Sequence, residues 1–105
     1  MAVLITITTV LPNKEVKFFN QNNEFKDLFE VFNTEKNKYK VSGKLLSEST
    51  DRTADGLTVS YAGLWKSQAD LDEFNNNIVL KQYWNERNKH NKLNNIIQTK
   101  KIIEV

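Results

Sequence analysis

Residues 2–11 alternate. Val3, Ile5, Ile7 and Leu11 fall on one side, and Thr6 and Thr8 on the other. A period of two predicts a strand with one face in a core. Pro12-Asn13 ends it. The next stretch, KEVKFFNQNN, fits neither period and reads as a loop anchored by Phe18 and Phe19. NEFKDLFEVFNTEK then spaces Phe25, Leu28, Phe29 and Phe32 at i, i+3, i+4 and i+7. That spacing gives one apolar helix face, with Asn23 as its N-cap. KYKVSGKLLSES, from Lys38, returns to alternation. Tyr39, Val41 and Leu45 are in phase, and Gly43 stands where a bulge or a close backbone approach is expected. Asp55-Gly56 suits a tight turn. The strand LTVSYAGLW follows, with Leu57, Val59, Tyr61, Gly63 and Trp65 on one face and Thr58, Ser60 and Ala62 on the other.

Ser67 is a natural N-cap for a second helix, and Asp70 three residues on approaches a capping box. Asp70, Asp72 and Glu73 place negative charge at the positive end of the helix dipole, while Leu71 and Phe74 face inward. Asn75, Asn76 and Asn77 are poor helix formers and predict an interruption. The helix resumes in IVLKQYWNERNKHNKL, where Val79, Tyr83 and Arg87 form one row and Leu80 and Trp84 another. Tyr83 and Trp84 are adjacent, so one is expected under the sheet and the other at an edge or interface. Asn94-Asn95 offers a stop, and IIQTKKIIEV is a final strand.

The order is β-α-β-β-α-β across residues 1–105, read as a single domain. It predicts an α+β, ferredoxin-like fold: a four-stranded antiparallel sheet with both helices on one face. By strand phase, Leu4, Val10, Leu46, Leu64, Ile96 and Ile102 are assigned to the other face. A sheet apolar on both sides needs a second cover. A like subunit is the simplest, giving a homodimer or larger homo-oligomer.

Composition narrows the chemistry. Aromatic residues make up 10% of the chain, which favours a packed core over disorder. The absence of cysteine excludes disulfides, thiolate nucleophiles and Cys-ligated metals. His90 is the only histidine and belongs to a hydrophilic helix end. No phosphate-cradling glycine loop and no nucleophile elbow is visible, and the acidic residues at 70–73 are explained by capping. Neither a cofactor nor a metal is expected. The net charge of +2 does not argue for nucleic acid. The basic C-terminal third does include aromatics, so single-stranded nucleic acid ranks third among partners, without the Gly-aromatic pattern of RNA-binding sheets. No apolar run reaches membrane-spanning length, and the N-terminus lacks a basic signal-peptide region. A cytoplasmic protein is expected, or a virion-associated one if phage-encoded.

The junction Trp65-Lys66-Ser67-Gln68-Ala69-Asp70-Leu71, with Phe74 a turn on, resembles that of the antibiotic biosynthesis monooxygenase-like superfamily of dimeric α+β barrels. The resemblance implies a barrel made by two ferredoxin-like subunits. It also opens the range of that family, from cofactor-independent oxygenases of polyphenols to haem-degrading enzymes. Haem degraders carry a Trp near the third strand, which Trp65 matches, an Asn on the first strand and a His on the second long helix. Here Thr6, Thr8 and Thr9 stand on that strand, Asn75 to Asn77 take the place of the His, and His90 comes more than a turn too late. Haem chemistry is not expected.

Two functional readings remain. The first is a non-enzymatic association module, its partners further copies of itself and, given a Lys- and Asn-rich composition shared with some phages, other assembly proteins of a virion. The second is a cofactor-independent monooxygenase or binder of a small aromatic ligand, using Trp65, Tyr61 and Asn75 in a cleft between sheet and helices. Trp65 itself is read as a core residue.

Overall fold

In the computed structural model, which describes residues 1–105, the alternating N-terminal segment forms β1 (Val3–Val10). It pairs antiparallel with β3 (Thr58–Trp65) on one side and β4 (Ile97–Glu104) on the other; β2 (Leu45–Arg52) adds to β3. The sheet order is β2-β3-β1-β4. Three helices, α1 (Lys26–Val41), α2 (Gln68–Asn75) and α3 (Lys81–Leu93), cover one face. This is the expected ferredoxin-like α+β arrangement, with the second helical segment in two pieces.

Directly paired residues of an antiparallel sheet point to the same face. The helix side therefore shows the rows Trp65–Val3, Glu48–Gly63–Ile5–Ile102, Thr50–Tyr61–Ile7–Lys100 and Val59–Thr9–Gln98. At one end of this face Val3, Ile5, Leu45 and Trp65 close against Tyr39, Leu71, Phe74 and Leu80 in the main core. A second cluster of Leu11, Phe18 and Ile96 closes the other end.

The turn chemistry acts as read. Asp55 Oδ1 accepts from Leu57 N–H at 2.9 Å, and Gly56 takes a φ of +73°. Ser67 Oγ accepts from Asp70 N–H at 3.1 Å. Its hydroxyl donates in turn to Asp70 Oδ2 at 3.0 Å, so the Asp carboxylate engages the cap side chain. The triple asparagine does interrupt the helix: Asn77 caps a 3-10 turn over Ile78–Leu80 that leads into α3. Asn95 ends the segment at a φ of +57°. Phe18 and Phe19 are both buried, anchoring the long loop.

Four expectations are corrected. Tyr39 and Val41 lie on the last turn of α1, not on a strand, and Gly43 (φ +80°) turns the chain at the helix end. Period two and helix spacing cannot be told apart over three residues, and the exposed Val41 is the extra apolar position that misled. The bulge lies instead between Leu45 and Ser47. Helix α1 starts after a 3-10 turn capped by Asn22, whose Oδ1 accepts from Glu24 N–H; Asn23 is inside that turn. Tyr83 and Trp84 do not part company: both reach Phe32, Tyr83 stacked at 4.3 Å and Trp84 edge-on at 5.6 Å.

The fourth correction concerns the open face. Leu4, Val10 and Leu64 are there, and Leu46 is the half-exposed bulge residue. Ile96 precedes β4 and is buried in the second cluster. Ile102 pairs with Ile5 and so belongs to the helix side. Phase was counted one residue out along β4. Its open-face residues are Ile97, Thr99, Lys101 and Ile103.

Candidate ligand-binding site

The apolar row of α1 explains the site. Phe25, Leu28, Phe29 and Phe32 have the spacing of a core face, yet none is fully buried. Phe29 and Phe32 stand off the sheet and line a cavity of about 500 Å³ between it and the helices. That volume falls within the ~300–1,000 Å³ of small-molecule sites. Ile5, Ile7 and Thr9 of β1, with Val59, Tyr61 and Trp65 of β3, form its floor. Phe74, Tyr83 and Trp84 make the helical wall with Phe32, and Phe18 and Phe19 close the loop side.

The three residues expected in a cleft, Tyr61, Trp65 and Asn75, all line this cavity. They differ in depth. Trp65 is 2% exposed and packs on Phe74 at 5.1 Å and Tyr39 at 5.7 Å, so it is a core residue whose edge reaches the chamber. Asn75 is exposed at the end of α2. Tyr61 lies between these extremes.

The Tyr61 ring leans over Gly63. A Cβ at position 63 would lie 3.0 Å from the Tyr61 hydroxyl and 3.4 Å from Trp65 Nε1, so glycine makes room for both rings. Glu48 faces Gly63 across β2–β3, and the Tyr61 hydroxyl donates to its Oε2 at 2.6 Å. Lys36 Nζ lies 3.3 Å from the same oxygen, and Lys40 pairs with the other. Burial alone would raise the Glu48 pKa. The hydrogen bonds from Lys40 and Tyr61, with the charge of Lys36, outweigh it and hold the carboxyl below its usual range. Burial, reinforced by the Glu48 carboxylate, pushes the Tyr61 phenol well above its ordinary value. Tyr61 thus stays a neutral donor and Glu48 an ionised acceptor.

The opposite end is different. Arg87 and Lys100 both line the cavity. The chain's ion pairs use Lys36, Lys38, Lys40 and Lys44, so neither Arg87 nor Lys100 has a carboxylate partner. Arg87 stacks over Trp84 with its guanidinium 4.8 Å from the ring centre. Burial pulls the pKa of Arg87 down, and burial together with Arg87 pulls that of Lys100 down. Burial pushes the Tyr83 phenol up to about 12.

Sequence reading did not single out Glu48, Arg87 or Lys100. One signal for Arg87 was present: it shares a helical row with the buried Tyr83. His90 is occupied elsewhere, its Nε2 lying 2.9 Å from Lys17 O, where it ties the loop to α3. No helix is long and apolar enough to cross a membrane.

No protein-family model matches the sequence, and no curated protein matches it. Solved structures do. SnoaB, a cofactor-independent oxygenase from Streptomyces nogalater, superposes with a TM-score of 0.60 at 6% identity, over 99% of this chain and 92% of that one. A dimeric ferredoxin-like protein from an uncultured marine organism gives 0.60 at 18%, over 99% and 94%. A further structure, described as an antibiotic biosynthesis monooxygenase, gives 0.58 at 13%, over 97% of both chains. At these identities the likeness is one of fold. The chain has the fold of the antibiotic biosynthesis monooxygenase-like, dimeric ferredoxin-like proteins, in agreement with the resemblance at Trp65–Leu71.

Proposed function

We propose that the chain binds a planar aromatic small molecule between its sheet and helices, as a ligand-binding protein or oxygenase of the antibiotic biosynthesis monooxygenase type. The carrying observation is the roughly 500 Å³ cavity walled by Phe29, Phe32, Tyr61, Tyr83 and Trp84. A helix with a full apolar face that leaves Phe29 and Phe32 half-open forgoes part of its burial energy, about 1.5–3 kcal/mol for each large side chain. A flat apolar guest between α1 and the sheet would recover it. Aromatic walls favour aromatic guests through offset and edge-on contacts.

This reading ranks above the association module, because that module has no use for a chamber under the helices. Self-association remains part of the proposal, through the open face. There the rows Leu64–Leu4–Ile103 and Thr58–Val10–Ile97 carry the large apolar side chains and flank the rows Ala62–Thr6–Lys101 and Ser60–Thr8–Thr99. The dimeric state of the marine relative supports this.

Cofactor-independent oxygenation is the chemistry we attach to the site. SnoaB, with the same fold, supports it. Tyr61 and Glu48 support it too: the Tyr61 hydroxyl donates its proton to Glu48, so both present acceptor oxygens to a substrate hydroxyl at the chamber floor. They can hold and polarise a hydroxyl of an aromatic substrate. Calorimetric titration with polyphenols of two to four fused rings, followed by oxygen-electrode assays with each binder, tests the proposal. Saturable binding is expected. A chain that binds none of them removes the reading. Binders that consume no oxygen leave a binding protein and remove the oxygenase.

A further inference from the structure

The cavity is electrically lopsided. Lys36, Arg52, Arg87 and Lys100 line it against one carboxylate, Glu48. Lys36 already pairs with Glu48, which is also held by Lys40 and Tyr61. The polar end at Glu48 is therefore neutralised within the chain, while the end at Arg87 and Lys100 is not.

The unpaired atoms point the same way. Two polar side-chain atoms of the cavity wall are buried without a hydrogen-bond partner: Trp84 Nε1 and Arg87 Nε. Both are N–H donors and neither can accept. Besides its stacking on Trp84, the guanidinium makes one hydrogen bond, from Nη2 to Asn88 Oδ1 at 3.1 Å. Arg87 and Trp84 are three residues apart on α3, so they share one side of the helix. Lys100 faces the same chamber from β4, opposite Ile7. A half-buried cation whose Nε–H is buried without a partner is costly unless something pairs with it. Its natural complement is a planar anion with several acceptor oxygens, which a guanidinium grips in its fork.

We propose that the ligand carries a carboxylate, seated on Arg87 and Lys100, while its aromatic body lies against Phe32, Tyr61 and Trp84. This rests on the aromatic-ligand reading above and adds the charge and direction of the guest. The anion would enter at the α3–β4 side, and the ring system would point toward Glu48.

Matched pairs test it: benzene-, naphthalene-2- and anthracene-2-carboxylates against their neutral carboxamides, titrated by calorimetry. The wild-type chain, Arg87→Met and Lys100→Met are compared. The carboxylate of at least one pair is expected to bind the wild type about tenfold or more tightly than its amide, since charge-assisted bonds are roughly twice as strong as neutral ones. Both variants should lose that preference and keep their affinity for the amide. The unfolding midpoint of Arg87→Met should not fall, because an unpaired buried charge is replaced by an apolar chain of similar length. Equal affinities, or tighter amides, would overturn the anionic seat and leave the aromatic site standing. If no member of any pair binds, the aromatic site falls and the seat with it. If Arg87→Met is destabilised and loses amide binding as well, Arg87 is structural. Should that variant not fold, Lys100→Met carries the same comparison, and an unchanged carboxylate preference there overturns the proposal.

Discussion

Trp65→Ala separates a wall that only faces ligand from one that also holds the fold. The side chain is 2% exposed and touches the rings of Tyr39 and Phe74. An aromatic side chain buries about 150–250 Å². At about 25 cal/mol per Å², that is about 4–6 kcal/mol of transfer energy as an upper limit. Alanine retains a fraction, and the void left behind adds its own cost. Here the void opens into an existing chamber, so Phe74 and Tyr61 have room to settle. The expected loss is about 3–5 kcal/mol, the usual range for a buried Trp. For a chain of this size that is a large share of the total, about 5–15 kcal/mol. With a urea slope of about 1–2 kcal/mol per M, the midpoint should drop by roughly 1.5–5 M. Far-UV circular dichroism is the readout, since the substitution removes a fluorophore. Both proteins are unfolded at one concentration, because self-association makes apparent stability concentration-dependent. A loss below about 1 kcal/mol would refute the placement of Trp65 in the core, because no fully buried Trp is removed so cheaply.

Three further outcomes follow from the same geometry. Ser67→Ala should cost about 1 kcal/mol through loss of the α2 cap, and an unchanged denaturant midpoint would remove that cap assignment. Glu48 has a folded pKa below its unfolded value, so its contribution is present above the unfolded pKa and fades as pH falls through the folded one. The stability advantage of wild type over Glu48→Gln should therefore shrink between about pH 6 and pH 3, and a constant gap across paired urea melts would contradict the ion cluster. Leu64→Glu places a charge in the apolar Leu64–Leu4–Ile103 row, beside Leu4. It should turn a dimer into a monomer by light scattering at tens of micromolar, and a monomeric parent would defeat the proposed interface.

The fold was legible where local chemistry and period agree. Val3 to Val10 alternates and is a strand; Asp55-Gly56 turns; Ser67 caps; Asn75 to Asn77 break a helix. It was misread where one or two residues decide the phase. Val41 mimicked a strand because a helix end and a strand start both tolerate an apolar residue. Ile102 was assigned to the open face because register along an edge strand is set by pairing with β1, which the chain alone does not display. The site was half legible. Tyr61, Trp65 and Asn75 do meet in one cavity, since strand phase and a helix end are local properties. Glu48, Arg87 and Lys100 come from three separate elements, β2, α3 and β4, and only their packing in the folded chain brings them to one chamber. Each looks like an ordinary surface charge in sequence. The missing carboxylate partner of Arg87 is a property of the folded state.

The chain has two tryptophans, Trp65 and Trp84, and both line the cavity. A two-dimensional 1H–15N spectrum therefore shows two indole N–H signals, each a reporter on the chamber. Titration with a planar aromatic carboxylate such as naphthalene-2-carboxylate is the most direct test of a ligand held between sheet and helices. Saturable shifts of both signals are expected, because both rings wall the chamber. Indole signals that stay fixed to millimolar ligand, or shifts confined to amides of the open sheet face, would contradict it.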